Sequence, residues 1–123
     1  MEISIKPTVP YHLFTTVEEV VKHAQSTIPP DKILFQMADG RALSADTYLT
    51  NVARISNMFL DLGIQKNQKV GVFLSNCLDY TYLYTALGLL GVTMVPLNPF
   101  LKGDSLNYVL NHCDVEYLVS KQV

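Results

Sequence analysis

Charged residues are scarce in this sequence. They fill 16% of its 123 positions, whereas hydrophobic residues fill 49%. Soluble domains usually carry about a quarter charged residues, so we expect part of this surface to be covered by other protein. The net charge is −2 and no basic run occurs, which argues against nucleic acid or an acidic membrane surface as the partner. No apolar run is long enough to span a membrane.

Cysteine is nearly absent, and the N-terminus lacks a targeting signal. Neither Cys77 nor Cys113 belongs to a CxxC pair, and His112 beside Cys113 is a weak ligand pair, so we expect no metal site. Reduced thiols in a cytoplasmic protein are the simplest interpretation. The first residues, MEISIKPTVPYHLF, lack the basic start and apolar core of a signal peptide.

Motifs that bind phosphate or carry out catalysis are missing as well. The six glycines form no phosphate-binding loop, and no Walker A sequence occurs. The backbone amides of Cys77 and Leu78 could bind an anion at a helix start, but an ordinary helix cap by Asn76 is the favoured interpretation. The histidines and carboxylates form no nucleophile–base–acid set. We therefore predict no catalytic, cofactor-binding or metal-binding residue in this chain.

The stretch from Val70 to Pro99 predicts a strand–helix–strand unit. Apolar runs at 70–74 and 92–97 flank a helix that starts near Cys77 and ends at Gly91. A helix from about 103 and a strand at 116–120 follow, which extends the order to βαβαβ. Because such crossovers are right-handed, we expect an α/β fold with three parallel strands and flanking helices.

The N-terminal half predicts a helix, a β-hairpin and a second helix. We divide the chain into an extended arm at 1–16, these three elements at 17–68 and the βαβαβ core at 69–123, together one subdomain. Thr16 and Glu19 form a capping box for the first helix, which should end before Pro29. Asp39-Gly40 marks the hairpin turn between strands 33–37 and 41–43.

The second helix should begin at Ser44 and end at Gly63, since the first is a good N-cap and the second a good C-terminal stop. One side of this helix is apolar and should be core. The residues of this stripe are Tyr48, Val52, Ile55, Phe59 and Leu62.

The helix after Cys77 is apolar on almost every side, and such a helix is normally buried on every side. A chain of this length has little with which to cover it. The N-terminal arm, the first helix or a second copy of the chain could supply the cover, so we expect a dimer or a tendency to aggregate. The candidate interface residues are Tyr80, Leu83, Tyr84, Leu87, Leu90, Phe100 and Leu101.

Several short segments resemble those of adenylate-forming enzymes, the group that includes the acyl-CoA synthetases. Residues 62–70, LGIQKNQKV, are similar to LGIxKGDxV in that family. Residues 74–80, LSNCLDY, resemble LPNSPEY, and residues 91–99, GVTMVPLNP, resemble GAxxVPLNP. The match is collinear from about residue 17 to 120. Asn67-Gln68 replaces Gly-Asp, and asparagine tolerates the left-handed turn conformation.

This resemblance implies the N-terminal subdomain of an acyl-CoA-synthetase-like fold. In the family, ATP and a carboxylic acid form an acyl-adenylate, and a thiol, often coenzyme A, then takes the acyl group. The family's phosphate loop and catalytic lysine lie further along, so no catalytic residue is carried over to this chain. ATP, Mg²⁺ and coenzyme A are implied for the parent enzyme, whose role would be in fatty acid metabolism.

Two kinds of function follow from these observations. The chain is read as an N-terminal fragment of an ATP-dependent acid–CoA ligase, inactive alone, with the remainder of the enzyme or a second copy as its partner. The alternative is a stand-alone, non-catalytic α/β binding or interaction module. A receiver-like or nucleotide-binding domain fits poorly, because acidic residues do not cluster at the strand ends.

Overall fold

Helices and strands follow one another in the order that the sequence predicts. The structure, a computed structural model, describes residues 14–121. The first 13 residues of the predicted arm lie outside the described residues. The helices in the described range are α1 (Val17–Thr27), α2 (Ala45–Asp61), α3 (Leu78–Leu89) and α4 (Gly103–His112). The strands there are β1 (Ile33–Gln36), β2 (Ala42–Ser44), β3 (Lys69–Phe73), β4 (Thr93–Pro96) and β5 (Tyr117–Ser120).

The second half of the chain contains a parallel sheet of three strands. β3 lies in the middle, with β4 on one side and β5 on the other, and both neighbours run parallel to it. Val70 pairs with Met94 on one side and with Tyr117 on the other. The βαβαβ prediction is confirmed, and the structure adds the strand order.

The N-terminal elements begin where their capping residues predict. The Thr16 side chain accepts a hydrogen bond from the backbone N–H of Glu19, whose carboxylate accepts one from the Thr16 N–H. The Ser44 hydroxyl accepts from the Thr47 N–H at the start of α2. β1 and β2 pair in antiparallel fashion, which confirms the hairpin.

Three turns use backbone conformations that glycine and asparagine tolerate. Gly63 follows α2 with φ +84°, and Gly91 follows α3 with φ +65°. Asn67 has φ +70° in the turn before β3, so asparagine adopts the left-handed conformation there, as predicted. Gly63 and Gly91 end their helices because a left-handed residue after the last turn cannot continue the helix.

α3 lies between the sheet and α2. Leu83 and Leu87 share a core with Val70 and Val72 of the central strand. On the other side of the helix, Tyr82 and Ala86 belong to a second core formed with residues of α2 and the hairpin: Leu43, Tyr48 and Val52. The expectation that this chain lacks a second cover for α3 is therefore wrong, because α2 supplies it.

Two further predictions need correction. Asn76 does not cap α3: the N-cap residue is Cys77, and no side chain there makes a capping hydrogen bond. Leu62 does not join the buried stripe of α2, since it is 60% exposed. Leu62 is the C-cap residue of α2, and the buried part of the stripe ends at Phe59.

Phe59 carries the largest share of the α2 core. It is 2% exposed and packs in the cluster that joins α2, α3 and the sheet. We expect Phe59→Ala to lower the free energy of unfolding by about 3–5 kcal/mol in a denaturant melt, the usual loss for a buried phenylalanine. Leu60→Ala is the matched control: Leu60 is 54% exposed, and its loss should be about 0.5 kcal/mol. Equal losses for the two variants would contradict this packing.

Gly88 is where α1 approaches α3. A Cβ atom at this position would lie 2.9 Å from Val17 Cγ2. Alanine favours a helix over glycine by about 1 kcal/mol, but overpacking costs about 1–3 kcal/mol, and the stiff valine side chain cannot move aside. We expect Gly88→Ala to destabilise the protein, and to stabilise it by about 1 kcal/mol when Val17→Ala has removed the obstruction. The same effect in both backgrounds would show that the two residues do not touch.

Candidate functional site

The seven predicted interface residues do not form one exposed surface. Leu83 and Leu87 are core residues, 3% and 1% exposed. Tyr84 and Phe100 are the most exposed of the set, at 71% and 85%. Tyr84 lies on α3, whereas Phe100 lies in the loop between β4 and α4. The other members, Tyr80, Leu90 and Leu101, are half-buried.

An apolar groove lies between α1 and α2, with α3 at one side. Its volume is about 670 Å³. α1 packs on α3 but makes at most marginal contact with α2. The groove is the space that remains between α1 and α2. The lining is mostly aliphatic, with Tyr48 and Tyr84 as its aromatic members. The Tyr48 hydroxyl is already engaged, since it donates to the Thr81 carbonyl oxygen at 3.0 Å and lies 2.6 Å from the Thr85 hydroxyl. The groove therefore suits an apolar occupant.

A second hollow, also about 670 Å³, lies at the turn between β3 and α3. It is more polar: Arg41 and Arg54 contribute positive charge, and Asp79 contributes negative charge. Cys77 is exposed here at the start of α3. In open α/β sheets, ligands bind beyond the carboxyl ends of the strands, which is where this hollow lies. Its charges are mixed, and no feature in it selects one ligand.

The ionisable groups with displaced pKa values serve local structure. The Thr15 backbone N–H and hydroxyl donate to Glu19, which lowers the pKa of that carboxyl at the start of α1. In the hairpin loop, the backbone N–H of Arg41 donates to Asp39 and lowers the pKa of its carboxyl. A hydrogen bond to Glu18 raises the pKa of Lys22 along α1. All these groups lie on the surface and stabilise turns or helix ends.

Two histidines can be placed, and both rings stack on aromatic neighbours. The His23 ring lies against Phe14 with centroids 5.1 Å apart, and His112 lies against Tyr108 at 5.5 Å. Within residues 14–121, no group of three or more His, Cys, Asp and Glu side chains could hold a metal ion. No helix in this range is long and apolar enough to cross a membrane.

The six glycines differ in how much space lies beside them. A Cβ atom at Gly40, Gly63 or Gly103 would meet nothing within 4 Å. The space beside the other three, at positions 71, 88 and 91, is filled by side chains of this chain. Glycine here serves turns and close packing.

Sequence reasoning missed one further surface, the side of the sheet that faces away from α3. Leu118 on β5 is 48% exposed there, and a Cβ atom at Gly71 would lie 3.2 Å from its side chain. No residue of α4 is buried, and α4 makes no more than marginal contact with any other described element. Within the described range, the outer edge of β5 is also unpaired. The exposed positions alternate along β5, which is the signal that could have indicated a half-covered strand.

Comparison with known proteins gives a consistent result. The sequence model of the AMP-binding enzyme family matches residues 22–123. A crotonobetaine/carnitine–CoA ligase of Salmonella typhimurium (strain LT2) is 30% identical over 90 residues, which cover 72% of this chain and 17% of that ligase. The ligases of Salmonella heidelberg and Salmonella agona match to the same extent. The chain thus spans about a sixth of the length of these relatives.

Solved structures share the fold. A protein of Rhodopseudomonas palustris CGA009, proposed to be a long-chain-fatty-acid CoA ligase, has a TM-score of 0.75 and 25% identity, and the match covers 85% of this chain and 26% of that one. The N-terminal subdomain of Klebsiella oxytoca NpsA has a TM-score of 0.78 at 19% identity, covering 89% and 28%. The βαβαβ sheet with its helices and hairpin is therefore the fold that the N-terminal subdomain of NpsA also has. By this match and the family's sequence model together, the chain belongs to the AMP-binding enzyme family.

Proposed function

We propose that this chain is the N-terminal part of an ATP-dependent acid–CoA ligase, and that residues 1–123 form a single subdomain of it. The family match over residues 22–123 is the observation that carries this proposal. The curated relatives are CoA ligases, and the chain spans 17% of their length. The parent enzyme would join ATP and a carboxylic acid into an acyl-adenylate and pass the acyl group to coenzyme A.

The incomplete side of the sheet supports this proposal. The edge of β5 offers unpaired backbone groups to a further strand, and such edges are normally paired or protected. The strand itself carries no proline, and its charged flanks, Glu116 and Lys121, lie just outside it. We propose the remainder of the enzyme as the partner that pairs with this edge and covers Leu118.

ATP, Mg²⁺ and coenzyme A are proposed as cofactors and substrates of the parent, not as ligands of this chain. Among the structural neighbours, the O-succinylbenzoate coenzyme A synthetase of Bacillus subtilis contains ATP and magnesium, with a TM-score of 0.70. The glycines of this chain are scattered and form no Gly-rich phosphate loop in the sequence. Phosphate binding and catalysis are therefore assigned to the rest of the enzyme. The cytoplasm is the proposed location, since both cysteines are free thiols.

The proposal predicts that the isolated chain is catalytically silent. We expect ATP–pyrophosphate exchange at background level with every acid in a carboxylic acid panel, because the sequence contains no Gly-rich phosphate loop. The Salmonella crotonobetaine/carnitine–CoA ligase, assayed with its own acid, is the positive control.

Exchange clearly above the level of a heat-denatured sample would contradict the assignment of catalysis to the rest of the enzyme. The reading frame beyond Val123 tests the parent itself. A downstream Gly-rich phosphate loop and lysine would support the ligase, and their absence would favour a stand-alone α/β module.

A second prediction concerns the isolated chain in solution. We propose that it associates with itself through the loop of Phe100 and Leu101, since Phe100 is 85% exposed and aromatic anchors dominate protein contacts. Light scattering at rising concentration should show dimers or larger species. Phe100→Ser should weaken association by about tenfold or more, whereas Lys102→Ser in the same loop should not. A monomer at high concentration would contradict this proposal.

A further inference from the structure

The groove between α1 and α2 leaves the apolar side of α1 only half covered. None of the 11 residues of α1 is buried, and Val20 is 47% exposed. A volume of about 670 Å³ lies within the range of about 300–1,000 Å³ that is typical of pockets for apolar ligands. The lining contains a single charged residue, Asp46 of α2. The groove therefore suits an apolar side chain with a positive charge beside it.

The loop between β4 and α4 carries a group of this kind. Its one charged residue is Lys102, and its Phe100 side chain is 85% exposed. The Phe100 N–H donates to the Asn98 side-chain oxygen at 2.9 Å, and the Leu101 N–H donates to the Asn98 carbonyl oxygen at 3.1 Å. Pro99 takes the second position of this turn, which its fixed φ favours. Because the turn is already held in place, little conformational entropy is lost when the aromatic ring is bound.

We infer that the Phe100 ring of one copy of the chain binds in the groove between α1 and α2 of a second copy. This inference rests on the self-association proposed above and names the surface that receives the loop. Tyr84, which is 71% exposed at the side of the groove, offers the ring an aromatic contact. Lys102 of the loop and Asp46 of the groove have opposite charges. A charge pair at the rim of a contact orients the partners more than it holds them together.

A symmetric contact between two Phe100 loops would be weaker. A phenylalanine buries about 150–250 Å², so two of them supply about 300–500 Å², far less than the roughly 1,200 Å² of a stable specific interface. Such a contact would also bring two Lys102 side chains together, and like charges across an interface are unfavourable. In the groove, both helices close around the ring, so each inserted phenylalanine buries more of the partner's surface.

Two charge-adding variants of α2 test the groove. Ala53 is exposed and lines the groove, whereas Asn57, about one turn further along α2, is exposed outside it. Ala53→Lys should weaken the self-association of the full chain about tenfold in light scattering, because a long cationic side chain fills the space that the ring needs and repels Lys102. Asn57→Lys adds the same charge and should leave association at the wild-type level. Equal effects of the two variants would overturn the inference.

A mixture of two defective variants separates a loop-to-groove contact from a loop-to-loop contact. Phe100→Ser keeps an intact groove and Ala53→Lys keeps an intact loop, so together they should form a complex at a concentration where each alone is a monomer. A fluorescent label on the Phe100→Ser chain identifies the mixed species in sedimentation velocity. The complex should stop at dimers, since its second loop and second groove are the defective ones. Wild-type association without any mixed complex would overturn the inference.

A photocrosslink identifies the two surfaces in contact. A benzophenone amino acid in place of Phe100 should give covalent dimers, with crosslinked peptides from 17–28 or 45–53. The same probe in place of Tyr108, which is 67% exposed on α4, should give several-fold fewer. Crosslinks to the Phe100 loop of the second copy, or crosslinks within one molecule only, would overturn the inference.

The oligomeric state of the wild-type chain decides the remaining case. A chain that stays monomeric at high concentration would overturn this inference together with the proposed self-association. That result would leave the ligase assignment unaffected, because the reading frame beyond Val123 tests the assignment separately.

Discussion

A helix without a polar side is stable in water only when its neighbours cover much of its surface, and α3 is covered by neighbours on two sides. The sheet covers Leu83 and Leu87, and α2 covers Tyr82 and Ala86. The position of α2 follows from this requirement, because its own apolar stripe meets α3 as well as the sheet core. The Tyr48 hydroxyl fixes the rotation of α2 through its hydrogen bond to the Thr81 carbonyl oxygen. The position of the hairpin depends on α2 in turn, since Leu43 of the hairpin joins the same core.

The layers built on α3 leave the sheet covered unequally. On the α3 side, Val70 and Val72 are fully buried. On the other side, α4 buries none of its residues, and Leu118 remains half exposed. A parallel sheet normally has helices on both sides. The core is thus closed on one side and unfinished on the other, which agrees with a chain that spans a sixth of the length of its relatives.

The two hollows differ in chemistry, so they suit different occupants. The groove between α1 and α2 is lined mainly by aliphatic side chains, and its tyrosine hydroxyl at position 48 is already engaged within the protein. The hollow at the start of α3 carries two arginines and an aspartate. An apolar segment gains most from the first, because burial of apolar surface is what the groove offers. The groove and the open edge of β5 are therefore separate surfaces: the first offers apolar side chains and the second offers backbone hydrogen-bonding groups.

Features that depend on local backbone chemistry could be predicted from the sequence. Thr16 and Ser44 begin their helices, Gly63 and Gly91 end theirs, and Asn67 takes a left-handed turn, because each effect acts within a few residues. The α/β class also followed, since strand and helix patterns alternate along the chain. The capping preference of asparagine led to a wrong prediction at Asn76, because the N-cap residue of α3 is Cys77.

How these elements meet depends on packing between segments that are distant in the chain. The apolar residues of α3 point in every direction, so its sequence cannot say which side faces the sheet and which faces α2. The strand order and the groove beside α1 depend on contacts between residues far apart in the chain, such as Val17 with Gly88. Leu62 shows the same limit: a helical period places it with Phe59, but the helix ends there and the side chain stays exposed. Periodicity reports which residues could be buried, and packing between distant segments selects those that are.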